Sequence, residues 1–308
     1  MRVATTIVVG LLVVACTSAP APTPAPSGPR TSPSAAVPPS ASASATPSVP
    51  PSVATQPTWT MTGSMTTGRG GHSATLLSDG SVLVAGGGYA DEAAAKIAER
   101  YDPSTGRWIA VSSMGEDRFG HSAVLLQDGK VLVVSGVGIG SEPISLSSAE
   151  VYDPLSDRWS SVAGPAVGAF GQSAILLADG KVLATGGSLD GTVSFELYDP
   201  DPGRWSTTAT IREPRVGFTM TLLADGTVLA AGGGVRHADD GVCCIPSGAA
   251  DTYDPANGEW TATATMNEAR YGHRAILLAD GTVLVMGGAG ESGDLTSAET
   301  FMPANSAG

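Results

Sequence analysis

The chain has 308 residues and a formal net charge of −13, from 16 basic and 29 acidic side chains. That acidic balance, with three lysines in total, argues against nucleic-acid binding, which needs a basic stripe. Cysteine is too scarce for a disulfide framework. Cys16 is followed only by the adjacent pair Cys243 and Cys244, so a packed core must supply the stability.

In chain order, residues 1–16 carry one early arginine, an apolar run and a small residue before Cys16, the pattern of a secretory signal. The apolar run is too short to span a bilayer as a helix. Val13-Val14-Ala15-Cys16 resembles a bacterial lipobox, which implies lipidation at Cys16 and a lipid-anchored, extracytoplasmic protein of the cell envelope. Residues 17–57 are nearly all Ala, Pro, Ser and Thr, with twelve prolines. Such a segment cannot bury enough apolar surface to offset its chain entropy and is expected to be a disordered linker. At 3.1 Å per residue it reaches roughly 120 Å.

Residues 58–308 are one domain's worth and repeat. An apolar run, an Asp-Gly pair, a second apolar run and glycines recur with the aspartates at Asp79, Asp128, Asp179, Asp225 and Asp280. Aromatic residues follow at Tyr101, Tyr152, Tyr198, Tyr253 and Phe301, and tryptophans stand at Trp59, Trp108, Trp159, Trp205 and Trp260. The units are 59–107, 108–158, 159–204, 205–259 and 260–308. Asp-Gly between apolar runs predicts a hairpin with a two-residue type I′ turn. Asp-Pro after each tyrosine predicts a second turn, and the tryptophan opens a fourth strand. Ala93–Lys96 has helix propensity, but the repeat predicts at most a helical turn there and a strand over residues 97–101.

The spacings divide the repeat. Each Trp lies 20 residues before the next Asp-Gly aspartate, and the first four aromatics each lie seven before a Trp. All length variation falls between Asp-Gly and the aromatic, where the intervals are 22, 24, 19, 28 and 21. Three fixed connections and one free one predict four-stranded blades with a single variable loop. Diglycine after the second strand, Tyr-Asp-Pro, the later Trp, Met114 and Arg-Phe-Gly-His-Ser at 118–122 resemble the kelch motif. The resemblance implies a β-propeller, and its bacterial style is similar to the kelch domain of galactose oxidase-like enzymes. The expected fold is all-β, a five-bladed kelch-type propeller whose last blade is closed by the N-terminal strand at Trp59.

In an up-and-down blade the variable loops share one face with the links between blades, which carry Arg69, Arg118, Arg215 and Arg270. The resemblance implies arginines at the mouth of a pocket engaging acidic partners, and the expected binding rim adds Tyr271, Arg274 and Arg236. Recurrence itself argues for a structural role, clearly for Glu99, Glu150, Glu196, Asp251 and Glu299 and for His72, His121 and His273. The arginines divide evenly between the two readings. Departures from the repeat are the better functional candidates: Ala169 and Gln172 in blade three, Phe218 in blade four, Tyr271 and Arg274 in blade five.

The longest loop holds His237, Asp239, Asp240, Cys243 and Cys244. Their N, O and S donors are a weak metal set with no zinc spacing, and the cysteines are free, metal-bound or joined as a vicinal disulfide. The copper site of galactose oxidase-like enzymes needs Tyr and His ligands with a Tyr–Cys cross-link, whereas here Gly272 separates Tyr271 from His273. The expected protein is therefore a monomeric, surface-displayed binding module without a cofactor. Its partner is an extracytoplasmic protein, an acidic peptide or a glycan. A carbohydrate-active or oxidase-like enzyme and a structural envelope protein are the alternatives.

Overall fold

The computed structural model describes residues 60–88, 92–139, 144–168, 173–187, 193–235 and 245–303. The signal segment, the linker, Cys16 and Trp59 lie outside them. Four four-stranded antiparallel sheets and one three-stranded sheet follow one another along the chain. Blade one is Ser73–Leu76, Val82–Ala85, Ala98–Asp102 and Arg107–Val111. Blade two is Ser122–Leu125, Val131–Val134, Ala149–Asp153 and Arg158–Val162. Blade three is Ala174–Leu176, Val182–Gly187, Val193–Asp199 and Arg204–Thr207. Blade four is Thr219–Leu222, Val228–Ala231, Ala250–Asp254 and Glu259–Ala262. Blade five is Arg274–Leu277, Val283–Met286 and Ala298–Phe301. The only helical turn among the described residues is Glu92–Ala95, ahead of the third strand of blade one.

The Asp-Gly turn differs from the expected type I′ form. Gly80 has φ +84°, but Asp79 is not among the positive-φ residues. Instead Leu77 O accepts from Gly80 N at 3.0 Å and Leu77 N donates to Ser81 O at 2.8 Å, a three-residue loop ending in a left-handed glycine. The aspartate is needed for its side chain: Asp79 Oδ1 accepts from Ser81 N at 3.0 Å. Asp128, Asp179, Asp225 and Asp280 repeat that bond.

The aromatic residues lock the outer half of each blade. Tyr101 pairs with Trp108 across the third and fourth strands, ring centroids 5.0 Å apart, and the next three blades repeat the pair. Each Trp also reaches the link that enters its blade. Trp108 Nε1 donates to Gly63 O, Trp159 to Ser112 O, Trp205 to Ala163 O and Trp260 to Ala209 O.

Successive blades pack face to face through apolar clusters that contain the second strands, which are buried on both faces in blades two and four. Leu83, Val131 and Tyr152 join blades one and two, and Leu132, Val182 and Tyr198 join two and three. Leu183, Phe195, Val228 and Tyr253 join three and four, and Leu229 and Val283 join four and five. Among the described residues no such cluster joins blade five to blade one. Leu76 is 63% exposed on one side of that junction, and Ile276 and Met286 are 54% and 37% exposed on the other. The fourth strand expected for blade five, at Trp59, lies outside the described residues.

Candidate functional site

The link residues and the variable loops do share a face. Isolated bridges pair Phe119 with Val137, Val216 with Gly234 and Tyr271 with Ala289, tying each link to the loop of its own blade. Three of these loops rise as two-stranded ribbons, at Val137–Gly138 with Ile144–Ser145, Gly234–Val235 with Ile245–Pro246, and Ala289–Gly290 with Gly293–Asp294.

The recurring arginines are not on the rim, which corrects the expectation that they meet a ligand. Arg118, Arg215 and Arg270 are 0%, 1% and 0% exposed, and the Arg69 side chain is fully buried. Each guanidinium fastens the end of its blade's second strand to the third. Arg118 donates to Ser135 O at 2.8 Å and to Glu150 Oε1 at 3.1 Å. Arg69 donates to Gly86 O, Ile97 O and Glu99 Oε1, Arg215 to Gly232 O and Asp251 Oδ2, and Arg270 to Gly287 O, Ser297 O and Glu299 Oε1. The planar fork suits this task, because one group satisfies both backbone carbonyls and a carboxylate.

The acids complete the staple. Burial raises the Glu99 carboxyl, but the Thr66 amide and hydroxyl and the charge of Arg69 outweigh it and hold the group below the usual range. In blade three, where Ala169 replaces the arginine, Glu196 is 3% exposed and accepts from the amides of Ala166 and Val167 instead.

The histidines are held between blades. His121 Nε2 lies 2.9 Å from Ser73 Oγ of the preceding blade, and His273 Nε2 lies 3.0 Å from Thr219 Oγ1. Burial, with Arg118 and His72 nearby, lowers His121 to about 3, and burial with Arg270 and Arg274 lowers His273 to about 4. Both are neutral at physiological pH and act as hydrogen-bonding pegs.

The departures from the repeat meet elsewhere. The starts of the innermost strands from all five blades surround an open cavity of about 450 Å³. His72, Phe218, Met220 and Arg274 all line it. Arg274 is exposed, and its side chain donates to His273 O at 3.3 Å with no acidic partner among the described residues. Its position holds Ser73, Ser122, Ser173 and Thr219 in the other blades. Tyr271 is half-buried beside the mouth and is not part of the cavity lining. Arg236, His237, Asp239, Asp240, Cys243, Cys244, Ala169 and Gln172 lie outside the described residues. Among the described residues no group of three His, Cys, Asp or Glu side chains is placed to hold a metal ion. Nor is any described helix long and apolar enough to cross a membrane.

Five sheets around an axial mouth, with diglycine turns and Tyr–Trp pairs recurring from blade to blade, define a five-bladed β-propeller. The comparisons agree. The Kelch motif family matches residues 69–115, which span the four strands of blade one. No curated relative matches the chain. The solved "Structure of YjhT" is similar over 77% of this chain and 82% of that one, with a TM-score of 0.63 at 17% identity, a likeness of fold.

Proposed function

We propose that this propeller is a binding module that receives an acidic ligand at its axial mouth, not at a rim of arginines. The observation that carries this reading is the contrast between its cations. Arg69, Arg118, Arg215 and Arg270 are consumed by internal bonds, while Arg274 and His72 stand exposed at a cavity reached by all five blades. A concave pocket of this size with a few convergent polar groups is the ordinary form of a ligand site. Residues 1–57 support display from the cell envelope through a lipid at Cys16 on a flexible stalk.

The test is retention of an array of acidic and neutral glycans and peptides by the purified chain. The reading expects acidic members to be held and the retention to vanish in Ser173→Trp, which fills the mouth from blade three. Thermal denaturation serves as the control for folding. Retention unchanged by Ser173→Trp in a folded chain would reject the mouth as the binding surface.

A further inference from the structure

Two blade junctions share one device at the axis. A histidine at the start of one blade bonds a hydroxyl at the start of the blade before it: His121 to Ser73, and His273 to Thr219. In the repeat, His72 of blade one corresponds to His121 and His273, position 274 of blade five corresponds to Ser73 and Thr219, and both line the axial cavity. Position 274 holds an arginine. Blades three and four lack the histidine, with Gln172 and Phe218 in its place, whereas blade one keeps it and the hydroxyl partner is what is missing, replaced by a guanidinium that can only donate.

The junction of blades five and one is also the loosest. The amide of Gly120 donates to Gly71 O at 2.8 Å between blades one and two, and Gly272 N donates to Gly217 O at 2.8 Å between four and five. No bond from Gly71 to Gly272 closes the circle among the described residues. A Cβ built on Gly217 would meet Gly272 N at 3.5 Å, but one built on Gly272 would meet nothing within 4 Å. Leu76 and Ile276 remain exposed on the two facing sides.

We propose that His72 and Arg274 form a carboxylate site at the junction of blades five and one, where a small organic acid supplies the missing acceptor and ties the two blades together. The two oxygens of a carboxylate accept from a guanidinium and an imidazole N–H at once. The cavity of about 450 Å³ holds a molecule of sugar-acid size, and Phe218 and Met220 give it an apolar wall. The proposal rests on the reading of the mouth as the binding surface and adds to it the ligand's chemistry and its effect on the ring. Binding that bridges the loosest junction stabilises the folded chain in proportion to occupancy.

The experiment is calorimetric titration and thermal denaturation of the purified chain with three probes: glucuronate, inorganic phosphate and glucose. Glucuronate is expected to bind and raise Tm, glucose to do neither, and phosphate to bind at least tenfold more weakly. Arg274→Ser removes the cation and restores the hydroxyl of the other blades. It should lose at least tenfold in glucuronate affinity while its ligand-free Tm holds or rises. His72→Gln should lose affinity severalfold, and Arg107→Ser, an exposed arginine on an outer strand, should bind as the parent does.

Unchanged glucuronate affinity in Arg274→Ser would overturn the proposal, as would phosphate binding as tight as glucuronate. So would a large fall in its ligand-free Tm, because Arg274 would then be a structural group. If Arg274→Ser still held the acidic members of the array, the mouth would remain the binding surface and this assignment alone would fail.

Discussion

Truncating Arg118 to alanine separates the two readings of the recurring arginines. A rim residue would cost affinity and leave stability nearly unchanged. The structure requires the reverse. Arg118 is 0% exposed and donates to Ser135 O, to Ser148 Oγ and to Glu150, which is itself 3% exposed. Removing the guanidinium leaves a buried carboxylate without its cation, a loss of about 3–5 kcal/mol. The freed carbonyl of Ser135 adds an unsatisfied acceptor at about 1–3 kcal/mol, though such terms are not additive. For a domain of this size a loss of about 4 kcal/mol corresponds to a fall in Tm of roughly 8–16 °C. Urea denaturation followed by tryptophan fluorescence reads the change directly, since Trp108 and Trp159 flank this staple's blades. A loss below about 1 kcal/mol would refute the assignment of the arginines to the scaffold.

Three further outcomes follow from the same geometry. Glu150→Gln should destabilise far more than Glu196→Gln in parallel urea titrations, because Glu150 neutralises Arg118 whereas Glu196 has no ion pair among the described residues. Stability should fall as pH drops below the unfolded histidine value of about 6.5, because unfolding lets His121 and His273 take up protons they refuse when folded. The stabilising effect is fully present above that pH and is lost down to about 3 and about 4 respectively. At pH 5 each contributes a loss of about 2 kcal/mol, and His121→Gln should flatten the profile measured by Tm. Under the lipid-anchor proposal, Cys16→Ser should move the chain from the membrane fraction to the soluble extracytoplasmic fraction on immunoblotting.

The architecture was legible because it is periodic. Fixed intervals from Trp to Asp-Gly and from Tyr to Trp map onto strand pairs and a Tyr–Trp contact that recurs in four blades. What misled was side-chain direction. Asp-Gly suggested a turn with two positive φ values, but Asp79 stays in ordinary backbone space and works through its carboxylate. Parity placed Arg118, Arg215 and Arg270 near the correct face, yet spacing does not say whether a guanidinium points outward or back into its blade. Recurrence was the better guide, since a group present in blade after blade serves the blade. The same logic, inverted, marks Arg274: it replaces the hydroxyl kept by the other four blades, and it lines the cavity.

Hydrogen exchange on the full chain, with and without an acidic ligand retained from the array, tests the central claim most directly. Binding at the axial mouth predicts new protection at residues 70–73 and 271–275, with the ribbon strands at 137–138, 144–145, 234–235 and 245–246 unchanged. Protection confined to those ribbons, or to the Asp-Gly turns on the opposite face, would contradict it.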